Sequence, residues 1–330
     1  MMLALIQLSV EAMNPVVLIL LLLLGLVALG GGGELLTRGA VAISINLRIE
    51  PLIVGLTVVS LATSMPEFTT TLTAAESHPG LALGNILGSN VANTGLILGL
   101  AALLVPLQVK LRLIEREVPF LIIITALFGI FIFTNGLERW EGCCLLAVTL
   151  AYLVYIVRKA REERWSPEGT LPQIQLPTVL ALMVVMLGAA LLAIGADLLV
   201  QSSVEVAKRM GVNDIFIGLT VVAIGTSLPE LAACIAAVRA GQGDLCAGNI
   251  VGSNLFNLLL IGGGASAIKS LPIDFAEIGL EYFAALLLTV FLLWIVRSGH
   301  TVSRREGAYL LMLYLTFILL ATVKQYTDFI

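Results

Sequence analysis

The chain has 330 residues, 59% of them hydrophobic and only 12% charged, with a formal net charge of −4 and a mean hydropathy of +1.04. A soluble domain carries roughly 25% charged residues, so this composition excludes a soluble enzyme and defines an integral membrane protein. The small, dispersed charge gives no reason for a nucleic-acid partner, and no obligatory protein partner is evident.

A membrane-crossing helix needs about 20 predominantly apolar residues. In chain order, the apolar runs and their flanks predict helices over residues 16–37, 51–76, 81–105, 117–135 and 141–158, then 177–204, 214–239, 245–267, 279–297 and 305–323. The first run lacks a preceding basic region and is expected to be a retained helix, not a secretory signal. Several later spans contain Gly, Ser, Thr, Asn and Pro. Between the fifth and sixth helices lies the one long polar connection, Arg158 to Gln175, with Pro167, Pro172 and the following Pro177. The expected organisation is a five-helix repeat over 1–160, a cytoplasmic linker over 161–176 and a second five-helix repeat over 177–330.

The repeat is legible in the letters. "GLTVVSLATSMPE" from Gly55 and "GLTVVAIGTSLPE" from Gly218 agree at 9 of 13 positions, and the same offset of 163 places Glu34 on Asp197, each followed by Leu-Leu. "GNILGSNVAN" from Gly84 and "GNIVGSNLFN" from Gly248 agree at 7 of 10. An odd number of crossings per half turns the second half over, so the copies are expected to be related by an axis in the membrane plane. The basic residues test this separately. With the N-terminus outside, 13 of the 18 Lys and Arg fall in inner connections and 5 in outer ones, which supports ten spans with both termini outside.

Glu67 and Glu230 occupy equivalent positions in the repeat. An ionised carboxylate at mid-membrane costs roughly 3 kcal/mol and usually faces a cavity or a partner. One such glutamate could snorkel from a helix end, but two in duplicated context point to a shared site. Thr63 and Ser64 precede Glu67 by four and three residues, and Thr226 and Ser227 precede Glu230 likewise, which puts hydroxyl and carboxylate on one helix face. Pro66 and Pro229 each remove a backbone donor, and the loosened carbonyls of Ala62 and Gly225 need a cavity or an ion to satisfy them. Asn85, Ser89 and Asn93 form a polar stripe, as do Asn249, Ser253 and Asn257. The stripes serve either as ligands or as interhelical hydrogen bonds. Gly84/Gly88 and Gly248/Gly252 are GxxxG pairs suited to close helix packing.

The donors are all hard oxygen, which suits Ca²⁺ or Na⁺ and disfavours zinc or copper. His78 and His300 fall in expected loops. Cys143, Cys144, Cys234 and Cys246 have neither disulfide-framework nor zinc-site spacing and are expected to be packing residues.

The duplicated "GLTVV…TS.PE" and "GN..GSN..N" blocks resemble the two alpha repeats of the cation/calcium exchanger superfamily. The chain is similar, over essentially all its expected spans, to the compact prokaryotic sodium/calcium exchangers. The resemblance implies an all-α integral membrane protein of ten transmembrane helices in two inverted five-helix repeats, with the ion site at the centre of a four-helix core. It implies that Glu67 and Glu230 ligate Ca²⁺ with the backbone carbonyls of Thr63 and Thr226. It also implies that Ser64, Ser227, Ser89 and Ser253, with the carbonyls of Ser60 and Ala223, complete flanking Na⁺ sites, and that Asn93 and Asn257 line the middle. The first and sixth helices, with Glu34 and Asp197, resemble the pair that slides against the core. Asn257 stands where several members carry aspartate, which weakens any case for potassium coupling and leaves the sodium stoichiometry open. Proton-coupled relatives usually carry "GN..E" in place of "TS.PE".

The implied activity is antiport of calcium against sodium across the cell membrane, with no cofactor. A calcium/proton antiporter and an exchanger of another divalent cation are the alternatives. An intramembrane enzyme using a glutamate base would show a nucleophile and base pair, which the repeats do not contain, and a channel fits inverted repeats poorly.

Overall fold

The computed structural model describes residues 14–162, 176–210 and 223–327. The first long helix, α1 (Pro15–Leu47), starts at Asn14, whose side chain accepts a hydrogen bond from Val16 N at 3.0 Å. Pro15 supplies the fixed φ of a first turn. The helix stops where Arg48 takes a left-handed φ of 55°. This is ten residues past the expected end at 37. Arg38 pairs with Glu34 one turn earlier, so its charge is carried within the helix and not in a loop.

The first half continues with α2 (Pro51–Thr63), α3 (Met65–Ser77), α4 (Pro79–Leu104), β1 (Leu107–Gln108), α5 (Leu113–Thr134), β2 (Gly136–Leu137) and α6 (Arg139–Glu162). The second half has α7 (Thr178–Arg209), α8 (Ala223–Gly225), α9 (Leu228–Arg239), α10 (Gly243–Ile268), β3 (Leu271–Pro272), α11 (Phe275–Gly299), β4 (Thr301–Val302) and α12 (Arg304–Thr327). Among the described residues eight helices are long and apolar enough to cross a membrane, and the bent pair α2/α3 makes a ninth. Of the expected helix over 214–239, residues 214–222 lie outside the described residues, as do the expected linker's residues 163–175.

The single helix expected over 51–76 is broken instead, with α2 and α3 meeting at 47°. Pro66 lies in the first turn of α3, where its missing N–H costs nothing, and it leaves Ala62 without the donor that a continuous helix would bring. The prolines therefore restart helices where a continuous, loosened helix was expected. Ser64 at this break has φ −84°, ψ 6° and Ser227, before α9, has φ −93°, ψ 8°. The two halves break alike. Single π-helical turns interrupt α2 at Gly55–Val59, α4 at Ala92–Ile97 and α10 at Asn257–Gly262, and no residue pattern announced them.

Packing between the halves is reciprocal. α1 and α7 run antiparallel along glycines seven residues apart: a Cβ on Gly25 would stand 2.9 Å from Gly195 O, and one on Gly32 would stand 2.9 Å from Gly188 O. Gly188 and Gly195 are the repeat equivalents of Gly25 and Gly32, so each residue touches its partner's counterpart, the contact pattern of a two-fold axis. β1 pairs with β4 and β2 with β3, where β3 and β4 match β1 and β2 in the repeat. Gly99 approaches Gly307 O, and Gly263 approaches Gly142 O.

The glycine pair Gly248/Gly252 seats α10 against α2, with a Cβ on Gly252 placed 2.6 Å from Leu56 O. Around Gly84 and Gly88 no described atom lies within 4 Å of such a Cβ. Cys234 and Cys246 are buried, whereas Cys143 and Cys144 are exposed on α6, a correction to the packing role expected for all four.

Candidate ion site

The two broken spans point their breaks at each other. Glu67 lies in the first turn of α3 and Glu230 in the first turn of α9, so each carboxyl group sits at the positive end of a helix dipole. Their exposures are 1% and 0%, and the two carboxyl groups approach within interacting distance of each other. Ser64 Oγ, from the first half, donates to Glu230 Oε1, from the second, at 3.1 Å. Thr63 Oγ1 donates to Asn249 Oδ1 on α10 at 3.2 Å.

The oxygens left over define the site. Both oxygens of Glu67, Glu230 Oε2, the hydroxyls of Ser89, Ser227 and Ser253, and the Oδ1 atoms of Asn93 and Asn257 are buried and receive no hydrogen bond. Each unsatisfied buried polar group costs about 1–3 kcal/mol. Orphans of this kind are rare singly, and here they lie on the side chains that the repeats single out. Among the described residues no donor reaches these oxygens, and a cation is the complement of carboxylate, amide and hydroxyl oxygens gathered in this way.

The backbone contributes as well. Thr63 ends α2, where a helix leaves its last carbonyls without intrahelical donors. Thr226 occupies the corresponding break between α8 and α9, and Ala223 lies one turn before it. The Ser60 carbonyl differs, because it already accepts from Ser64 N at 3.0 Å and Thr63 Oγ1 at 3.4 Å.

Two asparagines beyond the expected set hold the middle of the site. Asn93 Nδ2 donates to Asn254 Oδ1 at 3.1 Å, and Asn257 Nδ2 donates to Asn90 Oδ1 at 3.0 Å. Asn90 and Asn254 are repeat equivalents, so this clasp is reciprocal too. Asn254 Nδ2 also donates to Thr94 Oγ1 at 2.8 Å. With their amide nitrogens engaged, Asn93 and Asn257 are left with Oδ1 free, an amide orientation that follows from the bonding network. Asn85 leaves the stripe and donates to Thr71 Oγ1 at 2.9 Å. The signal that could have found Asn90 and Asn254 is their recurrence in both "GSN" blocks.

A multi-pass helical protein with a buried cluster of oxygens drawn from both halves has the form of a membrane ion transporter. The chain belongs to the sodium/calcium exchanger protein family, whose sequence profile matches residues 17–158 and 180–323. CaxA of Alkalimonas amylolytica is 39% identical over 304 residues, covering 89% of this chain and 95% of that one. The sodium/calcium exchanger MaX1 of Methanosarcina acetivorans is 29% identical, covering 91% and 97%. The solved structure of the sodium-calcium exchanger NCX_Mj soaked with 10 mM Na⁺ and 10 mM Sr²⁺ superposes with a TM-score of 0.80 at 27% identity, covering 93% of this chain and 99% of that one.

Proposed function

We propose that this protein exchanges Ca²⁺ for Na⁺ across the cell membrane by alternating access, as ten helices in two inverted halves with both termini outside. The observation that carries the reading is the meeting of Glu67 and Glu230, one from each half, among buried oxygens most of which have no hydrogen-bond partner among the described residues. Glu67, Glu230, Asn93, Asn257 and the carbonyls of Thr63 and Thr226 take Ca²⁺, which binds 6 to 8 oxygens at about 2.3–2.6 Å. Ser64, Ser227, Ser89 and Ser253, with the carbonyls of Ser60 and Ala223, take Na⁺ on either side. Reciprocal contacts between the halves support the inverted arrangement. The pairing of β1 with β4 gathers connections rich in Lys and Arg at one end of the bundle, which supports that end as the cytoplasmic one.

Two negative charges are neutralised by one divalent ion or by monovalent ions sharing the same oxygens, but not by both. Competition of this kind makes the exchange obligatory. The test is calcium uptake into proteoliposomes under an outward sodium gradient. Uptake that collapses with the gradient is expected. An active preparation whose uptake ignores sodium but follows a pH gradient in sodium-free buffer would replace this reading with calcium/proton antiport.

A further inference from the structure

Behind the ion site the two copies diverge at two positions that meet in space. The offsets of the repeat, 163 for the first block and 164 for the second, place Cys234 opposite Thr71 and Cys246 opposite Ala82. In the first half Asn85 Nδ2 donates to Thr71 Oγ1 at 2.9 Å. In the second half the equivalent Asn249 lies beside the Cys234 sulfur, and its Nδ2 has no hydrogen-bond partner among the described residues. Cys234 stands one turn beyond Glu230 on α9, and Cys246 one turn before Asn249 on α10. Both cysteines are 0% exposed. Cys234 Sγ donates to Cys246 O at 3.5 Å, and the two thiols lie within interacting distance of each other.

Sulfur is a soft ligand, unlike the oxygens that meet at Glu67 and Glu230, so the thiol pair selects a different class of ion. Among the described residues no three His, Cys, Asp or Glu side chains gather to hold a metal, which leaves a tetrahedral ion such as zinc short of ligands. Two soft cations are satisfied by two sulfurs in line, Cu⁺ and Hg²⁺. Each displaces both thiol protons, and the product with Cu⁺ carries one negative charge whereas that with Hg²⁺ is neutral. Burial penalises the charged product. We propose that Cys234 and Cys246 form a two-sulfur site for a soft divalent cation of the mercuric type, separate from the oxygen site. Two S–H bonds break, two S–Hg bonds form and two protons leave to water, with nothing oxidised or reduced. Asn249 Nδ2 offers a donor to the metal-bound sulfur of Cys234, as the outer partners of metal ligands do. The filled site ties α9 to α10 and fixes the spacing of Glu230 and Asn249. Arrest of ion exchange by that tie rests on the function proposed above, whereas the binding itself does not.

X-ray absorption at the mercury edge tests this on the full chain in detergent, with Cys143→Ser/Cys144→Ser removing the exposed thiols and one equivalent of Hg²⁺ added in thiol-free buffer. Mercury held by two sulfurs is expected, and excess calcium is expected to leave it in place. Cys234→Thr and Cys246→Ala install the residues that the first half carries at the same positions, and each is expected to leave a single sulfur at the metal. One sulfur, or oxygen and nitrogen alone, in the Cys143→Ser/Cys144→Ser protein would overturn the site, and so would release of the mercury by calcium. A two-sulfur signal that survives in the Cys234→Thr/Cys246→Ala protein would overturn it as well. No transport is measured, so loss of sodium-driven calcium uptake as the protein's activity would leave the mercury result standing, and the reverse holds.

Discussion

The sharpest consequence of the proposed ion site concerns Glu230→Gln, which keeps the shape of the side chain and removes its charge. Glu230 is fully buried, with Oε1 held by Ser64 at 3.1 Å and Oε2 without a donor. For bound calcium the change removes one of two carboxylates. Breaking a buried charge pair from one side costs about 3–5 kcal/mol, so calcium affinity is expected to fall between about a hundredfold and a few thousandfold. The ion-free protein should respond in the opposite sense. There, two buried carboxyl groups face each other and Glu67 has no donor among the described residues, so the amide supplies a hydrogen bond that the unmodified protein lacks. Thermal unfolding of the purified variant should therefore show a higher midpoint in chelator and little further rise with calcium. Calcium flux in proteoliposomes should drop in parallel. A variant with undiminished calcium flux, or with a chelator midpoint below that of the unmodified protein, would refute the reasoning.

Gly252→Ala places a Cβ 2.6 Å from Leu56 O and Ser60 Oγ, and overpacking of this kind costs about 1–3 kcal/mol. Lower unfolding midpoints and reduced flux are expected, whereas Gly30→Ala, with nothing within 4 Å among the described residues, should be neutral or stabilising. Asn257→Asp puts an acceptor against Asn90 Oδ1, where an amide now donates at 3.0 Å. A protonated aspartic acid can still donate and an ionised one cannot, so the loss of ion-free stability, about 1–3 kcal/mol for the unsatisfied pair, should grow as pH rises across a thermal unfolding series.

The repeated words of the sequence carried the architecture because a duplicated carboxylate inside an apolar run has few explanations. Ser64, Glu67, Asn93 and their counterparts were legible for this reason. Helix ends were less so: α1 was expected to end before Arg38, but an ion pair with Glu34 lets a charged residue continue the helix, and composition alone does not reveal an i,i+4 partner. The break at Ser64 was half legible. Pro66 marked the place, but whether proline kinks a helix or restarts one depends on what packs around it. The clasp of Asn90 and Asn254 depends on contacts between α4 and α10, some 160 residues apart in the chain, and such pairings are invisible to periodicity.

The reciprocity of the halves fails at one functional place. The glycine seam, the short strand pairs and the asparagine clasp obey it, whereas Ser64 Oγ donates to Glu230 and the Oγ of its counterpart Ser227 has no hydrogen bond among the described residues. Two nearly equal sequences in unequal conformations are what alternating access requires, because exchanging the conformations turns the site to the other side. In this conformation a cavity of about 870 Å³, lined by Glu34, Arg239 and Ala240, opens near the basic end. Removing the Ser64 hydroxyl should therefore destabilise this conformation, and removing that of Ser227 should destabilise its mirror. With the four native cysteines replaced and Ala240→Cys introduced, thiol labelling from the basic side should slow in Ser64→Ala and quicken in Ser227→Ala. If both variants shift labelling in the same direction, the asymmetry is local to the serines and does not report which way the site faces.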